Sequence, residues 1–313
     1  MVAVQVWSFV NGGWKPGDLA FADCRWFDLE APPDGELETL GERFHLHHLA
    51  IEDCRSTRLH APKVDDFGAY LFIVMHVPAA SSAEFVEMEE LDIFLAPGTL
   101  ITYRDRAVRE VGHVHEMLQN GMTMRPGTDG LLYEIMDRAV DALLPEVEAI
   151  GNRLDELHDL VLEDPGDTRS HDIVSLRAHA GRVRRLLTPQ LAVVQRLSRG
   201  EFPQVDEHNR VYFRDIYDHL VRIDLALENL REDAEVVLST YLAQVNNRMS
   251  EVMKVLSVVA AIALPATVIS GIFGTNFDNV PGLHSNWGFA LMMSAMGGLM
   301  GGMALFFKRR GWW

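Results

Sequence analysis

The sequence is poor in cysteine and in positive charge. Only Cys24 and Cys54 occur in 313 residues, both in the N-terminal third, with no CxxC spacing. That argues against a disulfide framework or a zinc ribbon and for a reduced, cytosolic N-terminal region. Lys and Arg number 28 against 45 Asp and Glu, a formal net charge of −17. Nucleic acid asks for a basic face and is not an expected partner. The acidity is compatible with attracting cations, although an acidic surface by itself does little more than keep a chain soluble. No GxxxxGK[ST] loop, no HExxH and no Ser/His/Asp order is present, so neither an enzyme nor a resident cofactor is expected. The first residues, MVAVQVWSFVNGGW, have no basic stretch leading into a long apolar core, and no signal peptide is expected.

Against that charged background, two stretches carry no charge at all. They are Val255–Phe273, VLSVVAAIALPATVISGIF, and Trp287–Phe307, WGFALMMSAMGGLMGGMALFF. A hydrocarbon core of roughly 30 Å takes about 20 helical residues, so each stretch is long enough to cross a bilayer once. The intervening Gly274–Asn286 is long enough only for a hairpin loop and contains no Lys or Arg. Arg248 and Lys254 precede the first span, and Lys308–Arg310 follow the second. The positive-inside rule then places both termini in the cytoplasm of a multi-pass inner-membrane protein. Pro265, inside the first span, is costly in an isolated helix and argues for a packed assembly. Gly297, Gly298, Gly301 and Gly302 form two interleaved GxxxG pairs, expected to pack closely on the first span. The methionines of the second span read as lipid-facing or packing residues.

Upstream, Val211–Lys254 contains neither proline nor glycine. Apolar residues recur at three and four spacing: Ile216, Leu220, Ile223, Leu227, Leu230, Ala234, Val237, Tyr241 and Val245. One helix is predicted from about Asn209 to Gly274, on the order of 100 Å long. Along its membrane end Ser250, Met253, Ser257, Ala260, Leu264, Thr267, Gly271 and Gly274 form a stripe, with Leu256 beside it. Small and hydroxyl side chains in line suit either a helix–helix seam or the wall of a pore built from several identical helices.

Before this helix, an acid-rich helical stretch (Gly130–Pro165) and an arginine-rich one (Ser175–Glu201) are expected to form an antiparallel hairpin with complementary charge. The first 125 residues read as α+β. Strands are predicted at Tyr70–Val77, Asp92–Pro97 and Thr99–Asp105, and helices at Gly35–Phe44 and Val108–Asn120. His45–His48, HLHH, do not converge on one point without outside ligands and are read as structural. The expected organisation is an α+β cytoplasmic domain (1–125), a helical hairpin (126–205) and a long stalk helix (206–274) that becomes the first span from about 254. An external loop (275–286), a second span (287–307) and a basic tail (308–313) follow.

MKVLSVVAAIALPATVISGIFGTNF, Met253–Phe277, resembles the first membrane span of the CorA family of divalent-cation channels. The family's Gly-Met-Asn signature reads here Gly274-Thr275-Asn276. Tyr212–His219 (YFRDIYDH), His48–Asp53, Pro62–Val74 and the closing FFKRRGWW are similar to further parts of that family, in the same order along the chain. The resemblance implies a funnel-shaped homopentamer with one long helix per subunit lining a central pore and the second span outside. It implies passive, gated transport of hydrated Mg²⁺, with Co²⁺ and Ni²⁺ as further candidates. It turns the stripe into a pore wall, with Met253, Leu256 and Leu264 as its hydrophobic constriction and Gly274, Thr275 and Asn276 as a selectivity filter. Mg²⁺ holds its water tightly, and a ring of amide and backbone oxygens can bind the hydrated ion through that shell. Asp215 matches a ligand of cytosolic metal sensing, with Asp65 or Asp66 of a neighbouring subunit as its expected partner. Asp278 adds negative potential at the mouth. Thr275 in place of methionine, His284 in the loop and a turn that looks like the ZntB branch keep Zn²⁺, with proton coupling, as the alternative cargo. A membrane-anchored scaffold or sensor without flux is the third reading.

Overall fold

Eight consecutive buried residues, Leu71–Pro78, form the strand at the heart of the N-terminal part. Such a run has no polar alternation because both of its faces are covered. The computed structural model of the chain describes residues 4–19, 21–56, 58–79, 87–164, 169–275, 280–282 and 285–312. Within them lie a seven-stranded sheet and eight α-helices. The strands are β1 (Val4–Val10), β2 (Gly13–Pro16), β3 (Cys24–Glu30), β4 (Lys63–Asp66), β5 (Leu71–Pro78), β6 (Met88–Ala96) and β7 (Thr99–Arg104), in the spatial order β2-β1-β3-β7-β6-β5-β4. All neighbours are antiparallel except β3 and β7, which run parallel. Pro97-Gly98 joins β6 to β7, and Gly98 has φ of 74°, the value that the third position of a type II turn requires.

The helices are α1 (Glu36–Phe44), α2 (His48–Cys54), α3 (Arg109–Gln119), α4 (Thr128–Asp141), α5 (Leu143–Glu163), α6 (Arg169–Ser198), α7 (Arg210–Phe273) and α8 (Gly288–Arg309). One face of the sheet, carrying Phe27, Leu29, Phe72, Val74, Phe94, Ile101 and Tyr103, packs with Leu37 and Leu40 of α1 and Ala50 and Cys54 of α2. The HLHH residues act locally. His45 ends α1 in the left-handed conformation, and the Nδ1 of His47 accepts from the Leu49 amide at the start of α2. Between the sheet and α3 lies a buried polar knot. The Trp7 indole donates to His115 Nδ1 at 2.8 Å, which fixes the ring proton on Nε2, 2.6 Å from Asp28. Arg104 meets the same carboxylate with two nitrogens and also bonds Glu30.

The chain divides into two compact units, one of Met1–Leu160 with Asp167–Leu238, the other of Val161–Gly166 with Ser239–Trp313. In the first, the predicted seam of α7 is buried at Ile216, Leu220, Ile223, Leu227, Ala234 and Val237. The arginine-rich stretch was expected to face the acid-rich one, but two of its arginines bond α7. Arg184 pairs with Asp224 and Glu228, and Arg177 with Glu235. The acid-rich stretch is also two helices, α4 and α5, with the break at Ala142.

In the second unit, Val255–Phe273 and α8 are helical, and two helices are long and apolar enough to cross a membrane. Lys254 Nζ donates to the Gly311 carbonyl at 3.2 Å and lies over the Trp312 ring. The close packing expected at the GxxxG glycines does not occur within one chain. A Cβ added at Gly297, Gly298, Gly301 or Gly302 would meet nothing within 4 Å. No residue of α8 is buried.

Candidate metal cluster and pore-lining face

Two i,i+4 pairs create the cluster. Asp137 and Asp141 lie one turn apart on α4, and Asp215 and His219 one turn apart on α7, so each pair shares a helix face. His219 Nδ1 lies 2.8 Å from Asp141 Oδ1, and its Nε2 lies 3.8 Å from Asp215 Oδ2. One ligand atom each from Asp137, Asp141 and His219 falls within a 4.8 Å span. Burial, and then the negative charge of Asp141, pushes the Asp137 carboxyl above its ordinary range, with Glu134 and Asp215 adding to the effect and His219 opposing it. Asp137 and Asp141 also line a cavity of about 330 Å³ shared with Glu110, a buried side chain whose Oε2 has no donor among the described residues. Two carboxylates and an imidazole beside a third carboxylate form a donor set that a divalent cation would neutralise.

Sequence reasoning named Asp215, which lies beside this group, and did not name Asp137, Asp141 or His219. Asp137 and Asp141 passed as ordinary helix acids, and His219 as the last letter of YFRDIYDH. The paired i,i+4 spacing was the available signal. Asp65 and Asp66 do not join the cluster within the chain. Asp65 pairs with Lys63 at 2.8 Å, and Asp66 accepts from the Gly68 amide at 2.8 Å.

The membrane stripe keeps to one side of α7. Ser250, Met253, Leu256, Ser257, Ala260, Leu264, Thr267, Gly271, Gly274 and Thr275 are all exposed in the single chain. The more covered residues, Lys254, Val258, Ala261, Ile262, Pro265, Ala266, Ile269 and Phe273, follow their own helical spacing. Three of the four hydroxyls on the stripe bond to their own helix. Ser250 donates to Asn246 O at 2.8 Å, Thr267 to Ala263 O at 3.1 Å and Thr275 to Ile272 O at 2.7 Å. Each leaves lone pairs free to accept from water. A Cβ at Gly274 would lie 3.1 Å from the Ser270 carbonyl oxygen, so this helix end has little room for a larger residue. Asn276, Asp278 and His284 lie outside the described residues.

Comparison with known proteins places these features. The profile of the family described as CorA-like Mg²⁺ transporter protein matches residues 21–309. The chain belongs to the CorA family. Among CorA-family relatives, YfjQ of Bacillus subtilis is 32% identical over 288 residues, covering 92% of this chain and 89% of that protein. The cobalt/magnesium transport protein CorA of Thermotoga maritima is 30% identical over 279 residues, 88% of this chain and 79% of that one. The zinc transport protein ZntB of Yersinia enterocolitica is 25% identical over 257 residues, 80% and 76% of the two chains. In fold, the CorA magnesium transporter of Methanocaldococcus jannaschii superposes over 100% of this chain and 99% of its own, with a TM-score of 0.90 at 21% identity. The mixed α/β domain, the long helix and the two C-terminal candidate spans expected from the sequence are those of this family, whose members transport divalent cations and are not enzymes.

Proposed function

We propose that the chain assembles as a homopentamer in the cytoplasmic membrane, both termini inside, and conducts hydrated divalent cations passively through a gated central pore. The observation that carries this reading is the stripe of α7. In one chain it lies open on the side away from the more covered face, and it is lined by small groups and by hydroxyls with free lone pairs. Apposed copies would enclose it as a water-lined wall. Met253, Leu256 and Leu264 would narrow it into a constriction that gates by dewetting. Gly274, Thr275 and Asn276 would form the outer ring. Mg²⁺ keeps its octahedral water shell, and neutral oxygens hold that shell without trapping the ion. Asp278 would raise the local cation concentration at the mouth.

The cluster of Asp137, Asp141, Asp215 and His219 serves in this reading as the cytosolic sensor. Bound metal neutralises the crowded carboxylates, and its loss leaves them repelling. Asp65 and Asp66 remain candidates for a contribution from the neighbouring subunit.

Mg²⁺ is the cargo favoured here, with Co²⁺ and Ni²⁺ accompanying it. A zinc transporter, coupled to protons, is the second reading, favoured by the ZntB likeness and by the imidazole in the cluster. Proteoliposomes loaded with a magnesium or a zinc indicator, with and without a pH gradient, separate the two. Magnesium flux that is independent of the gradient and lost in Asn276→Ala supports the first. Zinc flux that follows the proton gradient, with no magnesium flux, establishes the second. Flux of either ion that is unaffected by Asn276→Ala refutes the assigned filter.

A further inference from the structure

A cavity of about 630 Å³ in the first unit plays no part in the reading above. Five arginines line it: Arg177, Arg182, Arg184 and Arg185 of α6, and Arg231 of α7. Among the described residues, no carboxylate and no aromatic ring lines it. The chain as a whole has 45 acidic side chains against 28 basic ones, so this hollow reverses the prevailing sign. Like charges gathered in one concavity repel, and an anion placed among them is drawn in.

Ion pairs offset only part of that charge. Arg177 pairs with Glu235, Arg184 with Asp224 and Glu228, and Arg231 with Glu228. Five guanidinium groups thus meet three carboxylates, all on α7 and none in the cavity lining. Arg182 and Arg185 are exposed and have no carboxylate partner among the described residues. The Nε of Arg231 is buried and has no acceptor among them. Gly181 leaves the hollow open. A Cβ built there would have Arg185 Nη1 3.7 Å away, so that guanidinium lies back over the glycine.

We propose that this hollow binds the phosphate chain of an oligophosphate, either inorganic or the tail of a nucleoside triphosphate. Guanidinium groups hold phosphate oxygens with paired N–H donors and keep their charge throughout the physiological pH range. Each carries five N–H donors, so an arginine already bonded to one carboxylate retains donors for a second anion. From Arg177 to Arg185 the lining runs roughly 12 Å along α6, a length that one phosphate cannot bridge and a chain of several can. With no aromatic platform for stacking, a base adds little, and the chain itself is what the site reads. Arg231 belongs to α7 and the other four to α6, so the anion bridges the two helices. Such binding is independent of which cation the protein carries.

The test titrates inorganic triphosphate calorimetrically into the full-length chain in detergent. The buffer is metal-free and contains a chelator, so no ion at the His219 cluster can carry the anion. One saturable site per chain is expected, with ATP and GTP within about threefold of triphosphate and with AMP and orthophosphate at least about tenfold weaker. Arg182→Gln and Arg185→Gln each remove a charge that makes no ion pair among the described residues, and each should weaken binding about tenfold. Gly181→Leu keeps every arginine, favours the helix and fills the hollow, and should abolish binding. In the unaltered chain, triphosphate should protect Arg182 and Arg185 from phenylglyoxal, read by peptide mass spectrometry, which needs no variant to fold. Absence of both binding and protection overturns the proposal. So does binding that does not saturate, that is unchanged in Arg182→Gln/Arg185→Gln, or that orthophosphate matches. Displacement of triphosphate by anionic phospholipid at equal phosphate concentration would assign the hollow to a lipid headgroup and overturn it too.

Discussion

Asp141→Asn tests the sensor cluster most directly. The Asp141 side chain is 49% exposed and bonds His219 Nδ1 at 2.8 Å, so the amide can keep that contact while losing the charge. Two unit charges about 4 Å apart interact by about 1 kcal/mol in water, hence about 2 kcal/mol for a divalent ion held through its water shell. Water-like screening is the appropriate choice for a half-exposed group, and it makes this a lower bound. About 2 kcal/mol is roughly a 30-fold loss of affinity. Calorimetric titration of Mg²⁺ and Co²⁺ into the detergent-solubilised chain measures it. In proteoliposomes, the variant should keep conducting at a cytosolic-side Mg²⁺ concentration that closes the unaltered protein. His219→Ala should weaken Co²⁺ more than Mg²⁺, because imidazole suits the softer ion. A change in affinity below about threefold in Asp141→Asn, with unaltered closure, would refute the assignment of the cluster as the sensor.

Two further outcomes concern stability. Burial alone would push the Asp28 carboxyl up, but bonds from His115 and the charge of Arg104 outweigh it and hold the group below the ordinary carboxylate range. Its contribution is therefore present above the unfolded-state value of about 3.9 and is lost as pH falls through the depressed folded value. Asp28→Asn breaks a buried ion pair and should cost about 3–5 kcal/mol at pH 7. Thermal unfolding followed by circular dichroism should show the gap from the unaltered chain closing below about pH 4; a gap that is independent of pH contradicts this account. Leu227→Ala, at a fully buried seam position of α7, should cost about 2–5 kcal/mol, and a loss under about 1 kcal/mol would show that the seam is not a packed core.

Legibility from sequence followed physical distinctness. The helix predicted from about Asn209 runs Arg210–Phe273, because no breaker interrupts its three–four spacing until Pro265, and Pro265 lies in the span. β5, β6 and β7 were readable because each is a dense run of branched and aromatic residues. β1 and β3 were missed. They carry Trp, Ser and Asp at positions that become buried only through the polar knot of Asp28, Arg104 and His115, and no local pattern announces a bond between residues 28 and 115. β2 and β4, four residues each, are too short for a period to declare itself. The stripe was legible as a stripe, and the structure adds that it is uncovered. The candidate cluster of Asp137, Asp141 and His219 was not legible, since proximity between α4 and α7 is a property of packing.

The contacts between α6 and α7 carry one more consequence. Gln195 meets Tyr217, Thr188 meets Asp224, Arg184 meets Glu228 and Arg177 meets Glu235. The positions descend α6 in steps of seven, four and seven while climbing α7 by the same steps. A ladder with that spacing works like a toothed rack. Sliding one helix past the other by a turn, about 5.4 Å, would unseat every rung at once, whereas tilting the pair together disturbs none. Shear along the helix axes would therefore break four contacts at once, whereas joint tilting of the two helices would break none of them.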